Sequence, residues 1–130
     1  MRAEVQKEYY SVEQCRNNPK NIYVFGDNKE RKGRAGQACV RYEPNSYGII
    51  TKLYPSLDDG AFLEDKKEHW NLIKYDLENL YNRAKNQDLT IIFPADGLGT
   101  GLAKMSEKSP NLFKAMNRTI KDLFDVKIPL

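Results

Sequence analysis

With 130 residues, 40% hydrophobic and 30% charged, the chain can bury one core of a sheet with packed helices, but it is too short for two such cores and too apolar for a disordered segment. Its formal charge of +3 is too mild to argue for nucleic-acid binding by itself, although it suits an anionic ligand. Two cysteines, Cys15 and Cys39, with no C-x-x-C pair and one histidine, His69, far from both, speak against a disulfide scaffold and a structural metal site.

No repeat, low-complexity tract or composition break marks a linker, so one α/β domain over residues 1–130 is expected. Ser11-Val12-Glu13-Gln14 has the spacing of a capping box and predicts a short helix that Asn17, Asn18 and Pro19 end. Ile22-Tyr23-Val24-Phe25 reads as a strand closed by a polar turn, Gly26-Asp27-Asn28. Good helix formers from Ala35 to Tyr42 predict a helix limited by Pro44, and Tyr47 to Leu53 a further strand, with turn residues from Pro55 to Gly60. Trp70, Ile73, Leu77, Leu80, Tyr81 and Ala84 recur at helical spacing within a long helix from Leu63 to Asn86.

Leu89-Thr90-Ile91-Ile92-Phe93-Pro94 has the continuous apolar character of a strand buried on both faces, which implies a mostly parallel or mixed sheet. Ser109-Pro110 predicts an N-cap followed by proline at the first helical position, with Phe113, Met116, Ile120, Leu123 and Phe124 on the buried face. Val126 to Pro129 adds a last short strand. Alternating strands and helices favour a layered domain whose ligand sits beyond the carboxyl ends of the strands.

Two glycine-bearing loops follow predicted strands. The first, Gly26 to Ala38, contains Asp27, Asn28, Gly33, Arg34 and Gly36. Glycine admits a close backbone approach, a helix N-terminus offers free N–H groups to phosphate, and Asn28 has the groups to hold a sugar hydroxyl. The second, Asp96-Gly97-Leu98-Gly99-Thr100-Gly101-Leu102-Ala103, spends three glycines at alternate positions. It lacks the G-K-[ST] ending of a Walker A loop. Either loop can also be read without a ligand, the first as a solvated surface turn and the second as a tight packing turn.

Together, Val24-Phe25-Gly26-Asp27-Asn28, Gly33-Arg34-Ala35-Gly36-Gln37-Ala38, Gly48-Ile49-Ile50-Thr51-Lys52 and Phe93 to Ala103 resemble a small macro-domain-like family frequent in bacteriophage and bacterial genomes, over roughly Asn21 to Phe124. The resemblance implies a three-layer α/β/α fold that binds ADP-ribose; no cofactor or metal is expected. It places Asn28, Gly33 and Gly36 by the distal ribose, and Gly97, Gly99, Thr100 and Gly101 by the diphosphate; Gly26, Asp27, Arg34, Thr51, Lys52, Asp96 and Leu98 complete the expected ligand-binding set. Ile50-Thr51-Lys52 matches the Ile-Thr-Lys of macro domains that remove ADP-ribose from proteins or nucleic acid, whose lysine attacks the anomeric carbon. The aspartate those enzymes carry after the last glycine is not matched, since Ala103 and Lys104 follow Leu102. Lys52, Asp96 and Asn28 are therefore the candidate catalytic residues, with Asp96 or Asp27 as acid/base and Arg31, Lys32 or Arg34 as the cation that lowers the Lys52 pKa. The alternative for Lys52 is pairing with phosphate or solvent.

Three functions stay open: an ADP-ribose-type site with or without hydrolysis of an ADP-ribose linkage, a non-catalytic sponge or reader, and a phage interaction protein that grips a host protein or nucleic acid through the basic loop Lys29 to Arg34. Partners are a free nucleotide or an ADP-ribosylated macromolecule, with nucleic acid only as a modified substrate under the first reading. No apolar run reaches the ~20 residues of a membrane span and the first residues lack a signal peptide's apolar core, so a cytoplasmic protein is expected, in the infected host if phage-encoded. His69 is expected on the surface, and Trp70 and Cys39 in the packing. Tyr9, Tyr10, Tyr42 and Tyr47 are equivalent candidates for stacking on a base.

Overall fold

Two apolar runs, buried on both faces with side chains alternating between them, set the sheet. In the computed structural model, which describes residues 1–126, β2 (Asn21–Asn28) and β4 (Thr90–Phe93) are its central strands, flanked by β3 (Ser46–Lys52) and β1 (Arg2–Val5). All pairings are parallel, in the order β1-β4-β2-β3. Ile22, Val24, Ile91 and Phe93 point to one face, where they join Ile73, Leu77 and Leu80 of α2 (Lys67–Gln87) and Phe113, Met116 and Ile120 of α4 (Pro110–Phe124). Tyr23, Phe25 and Ile92 point to the other, against Cys15 of α1 (Val12–Asn17) and Ala38 and Val40 of a 3-10 turn, Gly36–Val40.

The capping box that opens α1 forms as expected, with Ser11 Oγ accepting from Gln14 N and Gln14 Oε1 from Ser11 N. Other boundaries differ. Gly26-Asp27-Asn28 is no turn: these residues are the last three of β2, paired with Ile49, Ile50 and Lys52 across a bulge at Asp27/Asn28. The helix expected over Ala35–Tyr42 shrinks to the single 3-10 turn, since Ala35 is extended and Gly36 sits at φ +57°. The long helix starts at Lys67 instead of Leu63 because Phe62 bridges Lys52 in antiparallel fashion, Leu53 N bonds to Ala61 O and Leu63 fills the core.

Pro110 occupies the first turn of α4 as predicted, but Ser109 is not the side-chain cap. The helix's free N–H groups are taken by Asp65, whose Oδ1 accepts from Leu112 N at 2.9 Å and Oδ2 from Asn111 N at 3.3 Å. Among the described residues the buried Ser109 hydroxyl has no partner. Strand β1 and the short α3 (Met105–Lys108) went unpredicted. The last predicted strand, Val126 to Pro129, lies outside the described residues except for Val126. Among the described residues, no helix is long and apolar enough to cross a membrane.

Candidate functional site

Because all four strands are parallel, the segments that follow them emerge on the same edge of the sheet. They enclose a cleft of about 930 Å³ to which Tyr9 comes from after β1, Gly33 and Gly36 from after β2, Ser56 from after β3 and Thr100 from after β4. Its floor lies where β2 and β4 part, for their ladder ends at Tyr23 and Ile92. Two side chains replace the missing backbone bonds there. The Tyr10 hydroxyl sits 2.7 Å from Val24 O and 3.0 Å from Ile92 O, and burial raises its pKa so that it stays a neutral donor. Gln37 Oε1 accepts from Gly26 N at 2.9 Å while its Nε2 donates to Gly97 O at 2.9 Å. This one amide ties the end of β2 to the loop after β4.

The predicted residues divide into lining and scaffold. Gly26, Asp27, Asn28, Gly33, Gly36, Thr51, Lys52, Asp96, Gly99, Thr100 and Gly101 line the cleft, and Arg34 does not. Gly101 has φ +54°, and a Cβ placed there would meet nothing within 4 Å, so its backbone faces open space. Gly99 also lines the cleft but has a packing reason of its own. A Cβ there would overlap the sulfur of the buried Met105, so the loop needs glycine at 99 whether or not a ligand approaches. Leu98 is a core residue and Gly97 serves through its carbonyl; neither reaches the cleft.

Asp27 and Asn28 are engaged by the fold. The buried Asp27 carboxylate accepts from Arg41 Nη2 at 2.6 Å, Arg31 Nη1 at 3.1 Å and Asn28 N at 2.8 Å. Arg31 continues to Asp76 on α2 at 2.8 and 3.0 Å, and Asp76 Oδ2 also accepts from Ile50 N on the free edge of β3. Burial holds the Asp76 pKa above its ordinary value, against the pull of the Ile50 N–H and of Arg31. This network ties down the sheet edge and the start of the first loop, with the Asp27 carboxylate engaged by three donors. Asn28 clasps the same loop, donating to Lys32 O at 2.8 Å and accepting from Lys32 N at 3.4 Å. One Nδ2 hydrogen is left for the cleft.

Thr51 Oγ1 donates to Asp27 O at 3.2 Å. The Lys52 amine donates to Ser56 O and lies 5.1 Å from the centroid of the Phe62 ring. Burial, and then Lys104, lower its pKa. The neighbouring cation is thus Lys104, not the expected Arg31, Lys32 or Arg34: Arg31 is ion-paired with Asp76, and Arg34 stacks 5.3 Å from the Tyr42 centroid. Asp96 is exposed at the cleft, and its carbonyl accepts from Thr100 Oγ1 at 2.9 Å. Among the described residues its carboxylate has no ion pair, with Lys52 or with any other group.

His69 overturns its expected surface role. It is 8% exposed, and its Nδ1 accepts from Glu64 N at 2.8 Å, pinning the segment before α2. Trp70 packs against the core and Cys39 is half-buried, as expected. Of the four tyrosines, Tyr9 and Tyr10 line the cleft, whereas Tyr42 and Tyr47 border a separate hollow of about 420 Å³ with Arg31 and Arg41. Gln37, Arg41 and Lys104 escaped the sequence reading because their roles depend on contacts distant in the chain. Among the described residues, no group of three or more His, Cys, Asp or Glu side chains could hold a metal ion.

A family described as a family of unknown function (DUF7831) matches residues 5–119, and the chain belongs to it. No curated protein and no solved structure matches the chain.

Proposed function

We propose that this member of the DUF7831 family binds ADP-ribose, or a nucleotide close to it, in the cleft beyond the carboxyl ends of β2 and β4, on a macro-like three-layer α/β/α domain. The observation that carries the reading is the pair of loops tied together by Gln37: each presents positive-φ glycine backbone to a shared cleft, Gly33 and Gly36 on one side and Gly101 on the other. Ligands of open parallel sheets settle in such a crevice. Its volume is in the range of small-molecule sites, roughly 300–1,000 Å³. Asn28 and Gly36 then face a ribose, Thr100 and Gly101 the diphosphate, and the exposed Tyr9, Leu57 and Leu102 at the rim offer apolar surface to a base.

The ligand is a free nucleotide or the ADP-ribose group of a modified macromolecule, met in the cytoplasm. Binding without turnover is the leading reading, because among the described residues no carboxylate is ion-paired with Lys52. Hydrolysis of an ADP-ribose linkage is a second reading, favoured by the lowered pKa of Lys52 beside Lys104, the condition in which an amine is nucleophilic. Gripping a partner through the loop Lys29 to Arg34 draws little support, since Arg31 and Arg34 are already engaged within the fold.

Calorimetry and thermal melting against ADP-ribose, NAD, AMP and cyclic nucleotides test the reading. A bound ligand at 100 times its Kd stabilises the fold by about 2.7 kcal/mol, a shift on the order of 10 °C. No heat and no shift with any of them would overturn it.

A further inference from the structure

Phe62 is nearly buried, yet three ammonium groups converge on its ring. Lys52 Nζ and Lys108 Nζ lie 5.1 Å from the centroid and Lys104 Nζ 6.0 Å. They come from three places: the end of β3, the turn after the second glycine loop and the end of α3. Among the described residues none is ion-paired with a carboxylate. The ring's negative face offsets part of the mutual repulsion, but a single ring cannot place three cations equally well. Lys104 moreover occupies the left-handed region at φ +48°, a conformation uncommon outside glycine, asparagine and aspartate.

Three positive charges share the Phe62 ring beside the cleft, which Lys52 alone of the three lines, and they lack only an anion. We propose that Lys52, Lys104 and Lys108 form a subsite for a terminal phosphoryl group, a dianion with three acceptor oxygens, at the Lys52 end of the cleft. A phosphomonoester fits better than a phosphodiester, because two negative charges match the cluster where one would leave it strongly positive. Burial first, and then the Lys104 charge, lower the Lys52 pKa, and a bound anion raises it again. The proposal rests on the nucleotide reading for the rest of the ligand, not for the subsite itself.

The probe is inorganic phosphate at pH 8, titrated against the whole chain by calorimetry and compared with dimethyl phosphate, a monoanionic diester. Phosphate should bind, at least tenfold more tightly than the diester and more weakly as salt rises. The variant Lys104→Asn/Lys108→Gln, which keeps a residue suited to the left-handed position, should weaken phosphate at least tenfold and leave ADP-ribose affinity within about threefold. A second measurement needs no variant: phosphate should protect the amines of Lys52, Lys104 and Lys108 from acetylation, read by mass spectrometry. Absence of phosphate binding, equal binding of the diester, or an unprotected cluster would overturn the subsite. If phosphate protects the cluster while no nucleotide binds, the nucleotide reading falls and the subsite stands.

Discussion

Gln37 Nε2 donates to Gly97 O across 60 residues of sequence, at 2.9 Å, with its Oε1 already holding Gly26 N. The amide occupies the place of a strand partner where β2 and β4 diverge, so its removal strands two backbone groups and frees one loop from the other. Gln37→Ala should destabilise the protein by about 1–3 kcal/mol, the cost of buried groups left unbonded. It should also weaken nucleotide affinity at least tenfold, because the loops no longer arrive pre-positioned. Denaturant melts and calorimetry check the two effects. Wild-type affinity in a destabilised variant would mean that the ligand does not use both loops.

The glycines at 99 and 101 should respond in opposite ways. Gly99→Ala drives a Cβ into Met105 at a positive φ, combining overpacking with a left-handed backbone penalty, and should cost on the order of 3 kcal/mol of stability. Gly101→Glu meets open space and bears the backbone penalty alone, about 1–2 kcal/mol, but sets a carboxylate where the diphosphate is to lie. It should fold and lose nucleotide binding. A Gly101→Glu protein that binds normally would remove the second loop from the site.

His69 makes stability depend on pH. Burial and the Lys66 charge hold its pKa below the ordinary value, and its Nδ1 must be unprotonated to accept from Glu64 N. The unfolded chain therefore takes up the proton first as pH falls from about 6.5, so this contribution is full above that pH and is lost on acidification through the folded pKa. Chemical denaturation from pH 7.5 to 5 should show declining stability, and His69→Gln should flatten the decline over this window. An unchanged slope would place the proton elsewhere.

These tests fall where local pattern and tertiary contact part company. The core was legible in the sequence because burial follows local period: the β4 run and the α2 and α4 faces required no knowledge of neighbours. The capping box of α1 is legible for the same reason, since its donor and acceptor are three residues apart. Asp65 was illegible as the cap of α4 because it lies 47 residues from Leu112. His69 looked solvated among Lys67 and Glu68, and only the chain folding back at Glu64 buries it. In the cleft, glycine spacing identified the two loops but not which glycines face solvent. That depends on Met105, whose position no local rule supplies.

Lys52 decides between binder and enzyme. If its amine attacks an anomeric carbon, Lys52→Ala should lower turnover by orders of magnitude with little change in affinity, because a covalent step stabilises the transition state more than the ground state. Borohydride should then trap an adduct on the wild-type chain incubated with an ADP-ribosylated substrate. If the amine only pairs with phosphate, the same substitution should weaken binding in a salt-dependent manner and leave any turnover at saturation nearly normal. The arrangement favours the second outcome: the amine is bonded to Ser56 O, its charged neighbour Lys104 is another lysine, and among the described residues no carboxylate is ion-paired with it. The expected result is therefore a Kd raised about tenfold at low salt, converging with the wild type as salt rises, and no borohydride-trapped peptide. A trapped adduct mapped to Lys52 would overturn the binder reading and make this lysine the nucleophile.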